Sequence, residues 1–154
     1  MGSSFYCIRS RHVNLKAMEI RLYQPSQDLA GCLAVFDSNG GDAAGRQGFT
    51  DFLASGARVF VMEHDGALIG CGGFTVQQDQ VARLHYGMIR KDLQRQGLGR
   101  FLLLYRLKEI GKHPDVVFVE AAVPPHLSRL YERNGLKPAG GGIHRMKLQV
   151  CTAG

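Results

Sequence analysis

Apolar and polar positions alternate from residue 19 to 23 and the alternation stops at Pro25, which predicts a short strand. Ser26 is placed to cap a helix, and Leu29, Cys32, Leu33 and Phe36 then follow the i, i+3, i+4, i+7 spacing of one helical face. The stretch NGGDAAGRQG (39–48) reads as a flexible glycine-rich loop, followed by a short helix over 49–55. Two apolar runs, RVFVMEH and ALIGCGGFTV, flank Asp65-Gly66, a strong tight-hairpin signal. VARLHYGMI (81–89) reads as the fourth strand.

Leu98, Phe101, Leu102 and Tyr105 then form a helical stripe that Leu104, Leu107 and Ile110 widen, so this helix is expected to be mostly buried against a sheet. Gly111 and Pro114 end it. DVVFVEAAV (115–123) is a fifth strand, apolar on both faces as in a sheet covered on both sides. Pro124-Pro125 opens a last helix carrying Leu127, Leu130 and Tyr131 inward, Asn134-Gly135 closes it, and GIHRMKLQV is a final strand. The order β-α-α-β-β-β-α-β-α-β predicts one α/β domain with a mixed sheet over residues 18–150. Residues 1–17 read as a flexible N-terminal extension and 151–154 as a C-terminal tail.

Composition narrows the class. A chain of 154 residues, 45% hydrophobic and 21% charged, suits one soluble domain with a real core. The net charge of +6 suits an anionic ligand or surface without choosing among them. Basic residues are dispersed and no base-stacking motif is visible, which argues against nucleic-acid binding. Cys7, Cys32, Cys71 and Cys151 are widely spaced with no C-x-x-C pair, and the six histidines form no H-E-x-x-H, so neither a metal site nor a disulfide framework is expected. No apolar run reaches the roughly 18 residues of a membrane span, and residues 1–17 lack the apolar centre of a signal peptide. The expectation is a cytoplasmic protein with no membrane partner.

The chemistry concentrates at Gln94-Arg95-Gln96-Gly97-Leu98-Gly99-Arg100, where a strand turns into a helix. A helix start leaves N–H groups unpaired and carries partial positive charge. Glycines allow close approach of a ligand to that backbone, and Arg95 and Arg100 add charge, so the turn suits a phosphate or pyrophosphate. Neither common nucleotide loop fits: G-x-x-x-x-G-K-[ST] is absent, and Leu102 stands where the dinucleotide fingerprint needs a third small residue. A connection whose glycines merely permit the bend is the alternative.

The pattern Q/R-x-x-G-x-G/A at this junction resembles the pyrophosphate loop of the GCN5-related N-acetyltransferase (GNAT) family, and LYERNGL (130–136) is similar to the family's L-Y-x-x-x-G-F segment. The resemblance covers residues 19–150 and points to a little-characterised bacterial subgroup. It implies the GNAT acyl-CoA acyltransferase fold, a central mixed, largely antiparallel sheet flanked by helices, with a splay between strands four and five. Acetyl-CoA is the implied cosubstrate. Its pantetheine arm would pair with Gly87, Met88 and Ile89, and its pyrophosphate would rest on Arg95, Gln96, Gly97, Leu98, Gly99 and Arg100. Gly87 inside a strand independently suggests a bulge or a close backbone approach. The family's asparagine after the fifth strand is replaced by Pro124, which removes one side-chain contact to pantetheine.

The implied reaction passes an acetyl group directly from the thioester to an amine. A free alkylamine is mostly protonated at neutral pH, its pKa being near roughly 10.4, so a proton must be removed. Backbone N–H groups of the fourth strand would hold the developing oxyanion. Tyr131 matches the family tyrosine that faces the sulfur and is the candidate acid; a core tyrosine is the alternative. The base is open. Relatives carry glutamate where this chain has Arg83, or on the fifth strand where it has Val119; Glu120 is one residue off and points to the other face. His85 and Glu120 are the candidates, beside ordered water.

The acceptor is expected near the first two helices, where Asp37, Ser38 and Asn39 are compact polar groups and VFDSN is similar to small bacterial acetyltransferases. A helix cap and turn would explain them equally well. Phe49 and Phe52 fit core packing better than a pocket wall. The function implied is acetyl transfer to a primary amine of a small molecule or of a peptide or protein N-terminus, with a non-catalytic acyl-CoA-binding module as the alternative. Relatives often dimerise, which leaves a homodimer open.

Overall fold

The computed structural model describes residues 4–6 and 18–148. In chain order these form strands β1 (Ser4–Tyr6) and β2 (Met18–Leu22), helices α1 (Pro25–Ser38) and α2 (Ala43–Ala54), and strands β3 (Arg58–His64), β4 (Ala67–Val76) and β5 (Val81–Ile89). Helix α3 (Leu98–Ile110), strand β6 (Phe118–Ala122), helix α4 (Ser128–Arg133) and strands β7 (Lys137–Pro138) and β8 (Ile143–Lys147) follow. The strands build one sheet in the order β1-β2-β3-β4-β5-β6-β8-β7. Every neighbouring pair is antiparallel except β5–β6, which is parallel. The expected mixed, largely antiparallel sheet is therefore present, and the predicted fourth and fifth strands are β5 and β6.

Alternation along the strands sends side chains into two separate cores. Met18, Ile20, Phe60, Met62, Phe74, Ala82 and Leu84 pack with α3 and with Tyr131 of α4. Val59, Val61 and Cys71 pack on the opposite face with Cys32, Val35 and Phe36 of α1 and Phe49 and Leu53 of α2. Asp65 and Gly66 take φ of 50° and 78°, as a tight hairpin with two left-handed residues requires. Cys32 and Cys71 are free, buried thiols. Hydrogen bonding to Cys32 and burial push the Cys71 thiol well up, which makes it inert.

Several expectations give way to packing. Pro25, not a residue after Ser26, opens α1; Gln24 is the N-cap and no side chain caps it. Proline suits that first position because its missing N–H would be unpaired there anyway. Leu29 is 39% exposed, and Asp28 takes the buried place one residue earlier. The glycine-rich loop is mostly helix: α2 begins at Ala43, where the Asp42 side chain accepts from the Gly45 N–H at 2.7 Å. Leu104 is 38% exposed and does not widen the α3 stripe. Strand β6 is shorter than 115–123, and only its Val119 and Ala121 face is fully buried. Ser4–Tyr6, within the segment read as an extension, pairs with β2, with Ser4 opposite Ile20 and Tyr6 opposite Met18. Residues 1–3, 7–17 and the tail 151–154 lie outside the described residues.

Asp28 anchors α1 to the sheet. Its carboxylate is 3% exposed and accepts from Arg21 Nη1 at 2.7 Å, Arg21 Nη2 at 2.9 Å and the Gln24 N–H at 2.8 Å. Burial works to raise its pKa, but the hydrogen bonds from Arg21 and Gln24 and the guanidinium charge hold it below the usual carboxylate value. A group lowered by folding stabilises above its unfolded pKa and loses that contribution as pH falls through the folded one. Asp28→Asn should cost about 2 kcal/mol at pH 7, moderated because Arg21 keeps Glu63. The gap between wild type and variant should narrow below about pH 4, checked by thermal unfolding across pH.

Candidate active site

Strand β5 carries one residue more than β4 can match. Met88 lies opposite Cys71 and His85 opposite Gly73, so Tyr86 and Gly87 together face Gly72. Tyr86 takes φ of 51° to make this bulge. On its other side β5 pairs with β6 only from Val81 to Leu84. Beyond Leu84 the two strands part, and the edge from His85 to Ile89 has no partner strand among the described residues. This is the expected splay.

Gly72 and Gly87 are glycines because Arg106 of α3 lies against them. A Cβ on Gly87 would meet the Arg106 Nη2, and one on Gly72 would lie 3.2 Å from its Cζ. The close approach expected at Gly87 is thus made by a protein side chain.

The end of β5 leads into the QRQGLGR turn. Arg95 and Gly97 have φ of 64° and 84°, and Gly97 forms the N-cap of α3 with no side-chain cap. Left-handed residues in such a turn gather successive N–H groups toward one side, as in anion-binding nests. The N–H groups of Leu98, Gly99 and Arg100 stand in the first helical turn, where none has an acceptor within the helix.

The turn is held by a latch that sequence reading did not find. Gln94 Nε2 donates to Asn39 Oδ1 at 2.6 Å and to the Ile89 carbonyl at 3.0 Å. Asn39 Nδ2 donates to the same carbonyl at 3.1 Å, and Ser38 Oγ accepts from the Lys91 N–H at 3.1 Å. Ser38 and Asn39 therefore tie the end of α1 to the approach of the turn, and the Ile89 carbonyl is taken by this latch. Asp37 pairs with Arg46 at 3.1 Å on the surface. The three residues expected at the acceptor thus have protein partners: Ser38 and Asn39 in the latch and Asp37 with Arg46.

On the face covered by α2, the His85 ring lies 5.1 Å from Phe52, and its Nε2 is 3.0 Å from Thr75 Oγ1. Burial, then the charges of Arg106 and Arg83, push its pKa below the ordinary value, so the ring is neutral at pH 7. Glu120 sits on this face too, 3.4 Å from Arg145 Nε and 3.7 Å from Arg83 Nε. Val119 faces the α3 core. Phe49 stacks on Phe36 and lies tilted against Tyr86 at 5.0 Å, as core packing requires. Tyr131 is buried on the α3 face, its hydroxyl 3.5 Å from Arg106 Nη2. Among the described residues no cluster of three or more His, Cys, Asp or Glu could hold a metal, and no helix is long and apolar enough to cross a membrane.

Residues 55–138, spanning the bulge, the turn and the tyrosine segment, match the acetyltransferase (GNAT) domain. The chain belongs to the GNAT acetyltransferase family. Its fold recurs in the ribosomal-protein-S18-alanine N-acetyltransferase from Escherichia coli, at TM-score 0.74 and 19% identity over 88% of this chain and 97% of that one. A GNAT-family acetyltransferase from Staphylococcus aureus gives TM-score 0.71 at 13% identity, covering 86% and 99%. N-acetylglutamate synthase from Neisseria gonorrhoeae, complexed with coenzyme A and N-acetyl-glutamate, gives 0.66 at 14%, covering 86% of this chain and 35% of that one. No curated protein matches the chain. As a GNAT domain the chain is an N-acetyltransferase, and acyl-CoA-dependent acetyl transfer is the family's general activity.

If the latch positions the GNAT loop, Asn39→Ala should weaken acetyl-CoA binding several-fold, about 1 kcal/mol for a lost hydrogen bond, and leave the acceptor KM unchanged. Calorimetry and steady-state kinetics read the two separately. Gly97→Val forces a β-branched residue to φ near 84° and should abolish acetyl-CoA binding in a chain that still folds by circular dichroism.

Proposed function

We propose that this enzyme transfers an acetyl group from acetyl-CoA directly to a primary amine, on a small molecule or at a peptide or protein N-terminus. The observation that carries this reading is the splay. An unpaired strand edge runs toward a helix start whose N–H groups are free of caps. The edge at Gly87 and Met88 offers hydrogen bonds to an amide-bearing arm, and Arg95 through Arg100 offer N–H groups and two guanidinium charges to a pyrophosphate. When bound, acetyl-CoA supplies an activated acyl thioester. The bulge gives β5 one residue without a β4 partner, whose N–H would be available to an oxyanion.

His85 is the base of this reading. Its ring is neutral at working pH and lies next to the bulge, and it takes the amine proton directly or through water. Glu120 is less suited, because Arg83 and Arg145 already share its carboxylate. Tyr131 gives its proton to the departing sulfur. One structural relative acts, by its name, on an alanine of ribosomal protein S18, which makes an N-terminal amine a reasonable first acceptor to try.

The test is thiol release from acetyl-CoA across a panel of alkylamines and of peptides with different N-terminal residues. Turnover on any of them is expected, and binding without turnover on all would sink the reading. His85→Ala should lower kcat/KM on the order of 100-fold. In wild type the acid limb of kcat/KM should lie below about pH 6.5, because base function is lost only as pH falls through the lowered His85 value. Tyr131→Phe should lower kcat on the order of 100-fold.

A further inference from the structure

Arg106 is the largest fully buried side chain in the described structure, at 1% exposure. It lies on the same face of α3 as Leu98 and Leu102, which belong to the apolar core. An arginine in such a place ordinarily meets a carboxylate, because an unpaired buried charge is costly. Among the described residues Arg106 forms no ion pair. Its contacts are neutral oxygens: Nη1 donates to the Gly73 carbonyl at 3.3 Å and the His85 carbonyl at 3.5 Å, and Nη2 donates to Tyr131 Oη at 3.5 Å. Nε is buried with no partner. An arginine guanidinium is not deprotonated in proteins. Two glycines make room for it. The chain thus keeps a full positive charge, lacking a counter-charge, under the bulge and beside the candidate acid.

We propose that Arg106 is a positioning residue that supplies the counter-charge for acetyl transfer, acting through Tyr131 and the bulge. The inference rests on the reading of Tyr131 given above. In the step it serves, the amine nitrogen bonds to the acyl carbon and the carbon–sulfur bond breaks, its electron pair staying on sulfur. The Tyr131 hydroxyl gives its proton to that sulfur, the amine proton leaves through His85, and the phenolate regains a proton from solvent. Negative charge therefore passes through the phenol oxygen in a buried place. Arg106 is the cation that meets it there, already fixed, with no reorganisation needed. The same guanidinium occupies the Gly73 and His85 carbonyls beside the bulge and so holds the strand N–H groups in register. Ionisable groups nearby have partners of their own: Glu132 lies 3.7 Å from His144, and the neutral His85 ring meets Thr75 Oγ1 on the α2 face.

The test uses the full chain and four variants: Arg106→Gln, Arg106→Lys, Tyr131→Phe and the Arg106→Gln/Tyr131→Phe double. Thiol release is followed with acetyl-CoA and an alanine-led peptide or butylamine, and thermal unfolding establishes which variants fold. Arg106→Gln should lower kcat on the order of 10- to 100-fold, with KM for acetyl-CoA changed less than about threefold. Arg106→Lys should recover part of the loss, and the double variant should be no slower than the slower single. Losses that multiply, a change in KM alone, or equal loss in the Lys and Gln variants would overturn the proposal. A second measurement needs no Arg106 variant: thiolate absorbance of CoA bound to wild type should appear at lower pH than for free CoA, and an unshifted titration overturns it. Calorimetry separates the two readings. Wild type that does not bind acetyl-CoA removes the parent reading and this one with it, whereas intact binding with no Arg106 effect removes this one alone.

Discussion

Strand β5 hydrogen-bonds to β6 as far as Leu84 and to β4 as far as Ile89, and between those limits it must absorb one surplus residue. The site follows from how that mismatch is accommodated. Tyr86 moves to positive φ, Gly87 sits against a side chain from the helix below, and β6 is left behind. A strand edge that would ordinarily invite another strand is exposed inside the fold instead of at its rim. The helix that follows β5 starts where this edge ends, so the unpaired strand and the uncapped helix meet at one mouth.

The flanking elements are arranged to keep that mouth open at little cost. Two cores, one on each face, hold the sheet between them. Charged groups along the paired part of β5, β6 and β8 are spent on each other. Arg83 is held by Asp79 and Glu120, and Arg145 lies over the Phe118 ring at 3.8 Å while reaching Glu120. The His85 imidazole is left neutral among these charges, a state that burial and neighbouring cations favour together.

The strands, the hairpin and the α3 junction were legible because each has a local cause: alternation, Asp65-Gly66, and a glycine turn before a leucine-rich stripe. The splay was legible only through family resemblance, because a parting of strands is not written in either strand alone. The second half of α2 was legible over 49–55, but its first turns fell in the expected loop because glycines at 45 and 48 outweigh the Asp42 cap. Arg106 was missed although it stands four residues from Leu102 on the apolar stripe; a charge on that stripe was the available signal. The cap alternative for Asn39 is met at the end of α1, but nothing local reveals that its side chain also reaches a partner 55 residues away.

That partnership binds two distant parts of the chain into one opening unit. The last turn of α1, the carbonyl of Ile89 and the turn at Gln94 share their hydrogen bonds, so none of them can fray by itself. An excursion that lifts the end of α1 breaks hydrogen bonds that also hold the approach to the loop. Hydrogen exchange at these separated positions is accordingly expected to report one shared opening rather than three local ones.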